Sequence, residues 1–262
     1  MVELKAITDF IEGIFPPGFA EDFDNIGLLI GRCDKKISKA IICLDCDKTV
    51  VKEAIAEGAE LIITHHPAIF NNMKSVTDKN DHGEMIVSAI ENGISVYSAH
   101  TNFDSAPGGL TDSVVKELDL IPIGNMEGEL GRLCRAPFGE TAKSLSERIK
   151  EKFGIANLYS TFTKNKSIET VAVCNGGGGG SLVETARELK ADVYISGDLK
   201  HHEVSMLKIA DDIDFIEMRH YDSEIIACDI LYKKLDERFM GDVQFKISKV
   251  QSSPLIDTNF IK

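Results

Sequence analysis

The 262-residue sequence is 43% apolar, enough for one large or two small hydrophobic cores, and this excludes a disordered chain. A formal net charge of −13 repels phosphate backbones over most of the surface and disfavours nucleic acid as a partner. No apolar run approaches the roughly 18 residues of a membrane span, and residues 1–16 lack the basic and apolar regions of a signal peptide, so a cytoplasmic protein without membrane contact is expected.

Taken in chain order, short apolar strands alternate with amphipathic helices. The run "AIICLD" (40–45) reads as a strand, "KTVVKEAIAEGA" as a helix, and "ELIITHH" as a second strand ending at His65 and His66. A further helix leads to a third strand, "ISVYSAHTNFD", which ends in His100 and Asp104. "GELGRLCRAPFGE" and the helix "AKSLSERIKEKFG" open a second lobe, whose cations between residues 143 and 152 read as a solvated helix face. The order then repeats: "TVAVCNG", a helix "SLVETARELKA", "DVYISGD", another helix, and "DFIEMRHYDSE". Gly197 and Asp198 take the places of His65 and His66, and the two closing strands pair His100 with His220 and Asp104 with Glu224.

This pattern predicts an α/β fold of two similar, intertwined lobes from an internal duplication, with mainly parallel sheets flanked by helices. The first lobe is expected over 1–123, completed by about 237–262, where "VQFKISKV" reads as a strand; the second is expected over 124–236. The six cysteines are scattered through a mid-sized chain and read as reduced and mostly buried.

Ligands of open α/β sheets collect at the carboxyl ends of strands, where His65, His66, His100, Asp104 and His220 all fall. Adjacent histidines on an extended backbone point to opposite sides, so His65 and His66 suit two neighbouring ions better than one. His220 and Glu224 are four apart at the start of a helix and share a face, while Asp104 reads as lying in a turn before Pro107. His65, His66, Asp104, His220 and Glu224 therefore form a candidate ligand set for two divalent ions. Three neutral imidazoles and two carboxylates leave such a pair with a formal charge of about +2, which attracts anions and acidifies water. Nitrogen and oxygen donors without thiolate fit zinc, iron, manganese, cobalt or nickel.

Plainer readings exist for each feature. A His-His pair is often a turn, and a helix-start acid is often a simple partner of the helix dipole. "NGGGGGS" (175–181) is either an anion nest at a helix N-terminus or a flexible connection; it is not a Walker loop, because no Lys-Ser or Lys-Thr follows. "CLDC" (43–46) has redox spacing, but Cys43 belongs to an apolar strand. His201 and His202 lie near the same sheet edge as outer donors, surface residues or ligands, and His82 reads as surface.

Several motifs together resemble the NGG-interacting-factor-three-like family, also known as GTP cyclohydrolase 1 type 2 homologues. They are "DNIGLLIG" (24–31), "THHP" (64–67), "HTNFDSAPGG" (100–109), the glycine run, "SGDLKHH" (196–202) and "HYDSE" (220–224). The resemblance implies a dinuclear metal centre on the same five residues and a ring-shaped homohexamer with its metal sites facing an internal cavity. Two departures stand out: Arg219 where the family usually has glycine, adding a cation beside the site, and Thr111 in place of a common asparagine. The chain is too short for the domain that some members carry between the lobes.

The expected function is a metal-dependent hydrolase of a nucleotide or similar small anionic molecule, with His100 or His202 as proton shuttle. The family name suggests opening of the GTP purine ring. The alternative is a non-catalytic metal-binding or metal-delivery protein, or an interaction platform with structural ions.

Overall fold

The computed structural model describes residues 1–255. In chain order the elements are β1 (Val2–Glu3), α1 (Leu4–Ile14), β2 (Gly27–Ile30), β3 (Lys36–Ile37), β4 (Lys39–Cys43), α2 (Lys48–Glu57), β5 (Leu61–Thr64), α3 (Asp81–Glu91), β6 (Ser95–Ser98), α4 (Thr101–Ser105) and α5 (Leu110–Glu117). They continue with β7 (Ile121–Asn125), β8 (Arg132–Arg135), α6 (Ala142–Phe153), β9 (Tyr159–Ser160), β10 (Thr170–Gly177), α7 (Ser181–Glu188), β11 (Val193–Gly197), α8 (His201–Ala210), β12 (Asp214–Glu217), α9 (His220–Glu224), α10 (Ile226–Phe239) and β13 (Gln244–Ile247).

Local chemistry sets the helix ends. Asp47 accepts hydrogen bonds from the Thr49 and Val50 amides at the start of α2, and Gly58 ends that helix at φ 66°, a left-handed position that glycine adopts without steric cost. Thr141 and Ser144 form a reciprocal capping box at α6.

The chain divides into two units, Met1–Phe103 with the segment from Ile225 onward, and Asp104–Glu224. In the first unit the sheet runs β13-β4-β5-β6-β2, with every neighbour parallel except the antiparallel β2–β6 pair. All four residues of β5 and all four of β6 are buried, as expected of central parallel strands covered on both faces. Ile41, Ile62 and Val96 from the strands, Val50, Val51 and Ala54 from α2, and Met85, Ile86 and Ala89 from α3 share one core.

The second unit has the order β7-β8-β10-β11-β12-β9, with parallel pairs β10–β11 and β11–β12 and antiparallel pairing on both flanks. Its core joins Ala172 and Tyr194 of the strands to Leu182, Val183 and Ala186 of α7 and Leu207 of α8. Both units thus repeat strand, helix, strand, helix, strand, short helix: β4-α2-β5-α3-β6-α4 and β10-α7-β11-α8-β12-α9. The architecture is α/β with helices flanking the sheets.

The units divide earlier than the sequence-based boundaries at 123 and 236. Residues 104–123 fall in the second unit because α5 packs on β7, β8 and β10, and residues 225–236 fall in the first because α10 packs on β4 and β13. Of the completing segment expected at 237–262, residues 256–262 lie outside the described residues. Among the described residues no helix is long and apolar enough to cross a membrane.

Candidate metal centre

In the first unit β5 ends at Thr64, so His65 and His66 stand just beyond the carboxyl end of a central strand, and His100 follows β6 in the same way. The His65 and His66 ring centroids are 5.2 Å apart, those of His65 and His100 5.2 Å, and those of His66 and His100 5.6 Å. One donor atom from each of the three lies within 4.8 Å of the others.

Each ring is held through the same nitrogen. His65 Nδ1 lies 2.9 Å from the Ala99 carbonyl oxygen, His66 Nδ1 2.7 Å from Asp45 Oδ1, and His100 Nδ1 2.9 Å from Asp24 Oδ1. An acceptor at Nδ1 fixes the proton there, which makes Nε2 the lone-pair nitrogen. The three imidazoles are thus prepared as Nε2 donors.

Asp24 carries more than one task. Its second oxygen, Oδ2, accepts from the Thr101 amide at 3.0 Å and the Thr101 hydroxyl at 2.5 Å, so one carboxylate caps α4 and orients His100. Burial alone would raise the Asp24 pKa, but His100 and Thr101 outweigh it and bring it down to about 2. With this cap, Asp104 lies in the short helix α4, not in the turn expected from sequence; the turn begins after Ser105.

The second unit presents oxygen donors. Asp104 and Glu224 are both buried, and Asn175, two residues before the end of β10, joins them: its Nδ2 donates to Asp104 Oδ1 at 2.8 Å and to Glu224 Oε1 at 3.2 Å. The amide orientation follows from the network, since two carboxylates can only accept. Asn175 Oδ1 then faces the Thr111 hydroxyl, which donates to it at 2.6 Å. The departure at Thr111 is therefore compatible with an ordered Asn175.

His220 Nδ1 lies 2.7 Å from Asp198 Oδ2, while His220 Nε2 lies 2.9 Å from Glu224 Oε2. With the proton on Nδ1, two lone-pair atoms face each other across that gap, an arrangement stabilised by a shared proton or a shared cation. Asp198 has φ 54°, uncommon for a residue other than glycine. Gly176, at φ 64°, leaves room for the carboxylate: a Cβ built there would lie 2.0 Å from Glu224 Oε1. His220 and Glu224 form the separate short helix α9, with α10 beginning at Ile226, where the sequence suggested one continuous helix.

The remaining candidates fall elsewhere. His202 is exposed in the first turn of α8, and neither it nor His201 joins a cluster of metal-competent side chains among the described residues. His82 lies in the first turn of α3, with Nε2 2.6 Å from the Ala68 carbonyl oxygen. At the end of the glycine run Glu203 accepts from the Gly180 amide, and its second oxygen accepts from the Lys200 amide, both at 2.7 Å. All six cysteines are free thiols. Burial pushes the Cys46 thiol up to about 12 and Cys43 well above its ordinary value, which argues against redox chemistry at "CLDC". Arg219 pairs through Nε with Asp222 Oδ2 at 2.6 Å.

Sequence reasoning missed the orienting residues Asp24, Asp45, Asp198 and Asn175. Asp45, Asn175 and Asp198 follow or end β4, β10 and β11 at the same sheet edges as the candidate ligands, so a search of strand ends for acids and amides would have found them. Asp24 is 76 residues from His100, and only the tertiary fold joins them.

The donor set fits divalent metal: imidazole Nε2 atoms and carboxylate oxygens, each backed by a hydrogen bond. The family model Duf34/NIF3 (NGG1p interacting factor 3) matches residues 2–254. A Clostridium perfringens protein named GTP cyclohydrolase 1 type 2 homolog is 36% identical over 261 residues, covering 97% of this chain and 98% of its own length. The Drosophila melanogaster NIF3-like protein 1 is 29% identical, covering 97% of this chain and 89% of its own. Among solved structures, reduced HcgD from Methanocaldococcus jannaschii is 30% identical, with a TM-score of 0.83 over 94% of this chain and 97% of that one. Staphylococcus aureus protein SA1388 shares the fold, with a TM-score of 0.86 at 23% identity over 98% and 99% of the two chains. On the strength of a match spanning nearly its whole length, the chain belongs to the DUF34/NIF3 family.

Proposed function

We propose that the chain is a metal-dependent hydrolase in which His65, His66, Asp104, His220 and Glu224 hold two divalent ions per subunit. The substrate is a nucleotide or related small anionic molecule. The observation that carries this reading is the common state of the imidazoles: all four rings have Nδ1 against an oxygen acceptor, which prepares Nε2 as a donor. Histidines kept for packing or surface polarity have no reason to share one tautomer. Both carboxylate ligands stand where the chain leaves one unit for the other, at Phe103–Asp104 and at Glu224–Ile225.

Bound there, the ions would acidify a water and polarise the bond under attack. The chain's own residues do the rest. Asn175 holds the two carboxylates in place, Asp45 and Asp198 fix His66 and His220, and Asp24 holds His100 with Nε2 ready to take or give a proton. His100 is favoured over the exposed His202 for that role, because it belongs to the cluster.

The name of the Clostridium perfringens relative makes GTP the first substrate to try, with water opening the purine ring. Zinc, iron, manganese, cobalt and nickel all suit the donors. A cytoplasmic homohexamer completes the reading.

The test is GTP turnover by protein as purified, after chelation, and after restoring each metal. Turnover that is lost and regained with metal, and reduced about 100-fold or more in His100→Gln, supports the hydrolase. A fully loaded protein inert toward GTP and a panel of nucleotides would move the assignment to metal holding or delivery.

A further inference from the structure

Two phenylalanines beside the imidazole cluster are left in solvent. Phe23 is 63% exposed and Phe70 46%. They face each other with ring centroids 6.4 Å apart and planes at 63°, and Phe70 also meets the His100 ring edge to face at 6.2 Å and 89°. Single exposed apolar residues are ordinary on protein surfaces, but a pair of rings of which one meets a candidate site residue is a different observation.

Their placement is built. Asn25 Nδ2 donates to the Ile69 carbonyl oxygen at 2.5 Å, tying the loop that carries Phe23 to the loop that carries Phe70. The Asn25 amide donates to Asp24 Oδ1 at 2.8 Å, and that same oxygen holds His100. Three consecutive residues therefore have three tasks: Phe23 offers a ring, Asp24 orients the imidazole, and Asn25 fixes the position of the second ring.

We propose that Phe23 and Phe70 form a subsite for the planar heteroaromatic ring of the substrate, next to His100. This rests on the metal-centre reading above, which supplies the counterpart for the anionic end of the same molecule. The two phenyl planes are far from parallel, so they leave ring faces and edges open to a third ring, and flat aromatic groups gain most from such offset and edge contacts. An aliphatic chain would gain burial but none of this directional term. The surface is strongly acidic overall, whereas the pair is apolar, so it welcomes the neutral part of a ligand whose charge is carried elsewhere. A nucleotide has this division of properties.

The experiment titrates metal-loaded full-length protein with GTP, guanosine and inorganic tripolyphosphate by calorimetry. It compares the parent with Phe70→Ala, Phe70→Leu, Phe70→Tyr and Phe23→Ala, with metal content and sedimentation velocity measured on each. The alanine variants are expected to bind GTP and guanosine between about 5-fold and about 100-fold more weakly, with tripolyphosphate affinity and metal content unchanged. Phe70→Leu should stay weak and Phe70→Tyr should recover, because the aromatic face and not the volume is required.

Unchanged GTP affinity in both alanine variants overturns the subsite, as does an equal loss for tripolyphosphate. So does a metal-loaded parent that binds neither GTP nor guanosine, or an alanine variant whose only change is a smaller assembly, which would make the pair a contact between copies. A parent that refuses metal sinks the metal-centre reading instead; guanosine binding that still falls in Phe70→Ala would uphold the ring subsite.

Discussion

The two units run through the same sequence of strands and helices, yet they arm the carboxyl edge of the sheet differently. After its second parallel strand the first unit places His65 and His66, whereas the second unit ends that strand on Gly197 and follows it with Asp198. The first therefore gathers three imidazoles, each backed by an oxygen, while the second gathers two buried carboxylates on Asn175, one of them against the His220 imidazole. A common backbone fixes where functional side chains emerge, and a two-residue difference decides whether a pair of imidazoles stands there. In the second unit the aspartate at the position of His66 supports His220 instead of offering a ligand nitrogen.

The contrast can be broken most severely on the carboxylate side. Gly176→Ala should cost roughly 2–5 kcal/mol and displace Glu224, since its Cβ would fall 2.0 Å from Glu224 Oε1 at a positive φ. Thermal unfolding of the metal-free protein checks this, and an unchanged midpoint would refute the packing. On the imidazole side, Asp24→Asn should cost about 1.5–3 kcal/mol, because it weakens both the cap of α4 and the charged bond to His100.

The pH dependence follows the same residue. The Asp24 pKa is about 2 in the folded protein and about 3.9 when unfolded, so the folded state is favoured by the ionised form. That contribution is complete above about pH 4 and fades as pH falls toward 2. In Asp24→Asn the acid limb of the stability curve should be correspondingly flatter, as denaturant titrations from pH 5 to pH 2 would reveal.

Smaller effects sharpen the comparison between supports. Asp45→Ala and Asp198→Ala should each lower metal affinity about 10- to 100-fold by releasing one imidazole, measured by competition with a chelator. Thr111→Val should lower it less, since Asn175 keeps both carboxylates and loses only the hydroxyl that fixes its own oxygen.

Much of this was legible in the sequence because strands and ligands obey local rules. The apolar runs at 40–43 and 61–64 read as strands, and the spacing of His220 and Glu224 put them on one turn of helix, where they lie 2.9 Å apart. The unit boundaries were harder to read, because what assigns α5 and α10 is the packing of each helix on strands of its own unit. Asp104 reads as a turn residue because Pro107 follows it closely, and the Asp24 carboxylate that caps α4 at Thr101 is distant in sequence. The glycine run has local roles that its sequence does not announce: Gly176 makes space for Glu224, and Glu203 accepts from the Gly180 amide.

The most direct test of the central claim is metal content per chain by elemental analysis, on the parent and on Glu224→Ala, each after chelation and reconstitution. Two ions per chain in the parent, with fewer in the variant at equal folded fraction, are the expected result. A well-folded parent that retains no divalent metal after reconstitution would contradict the account.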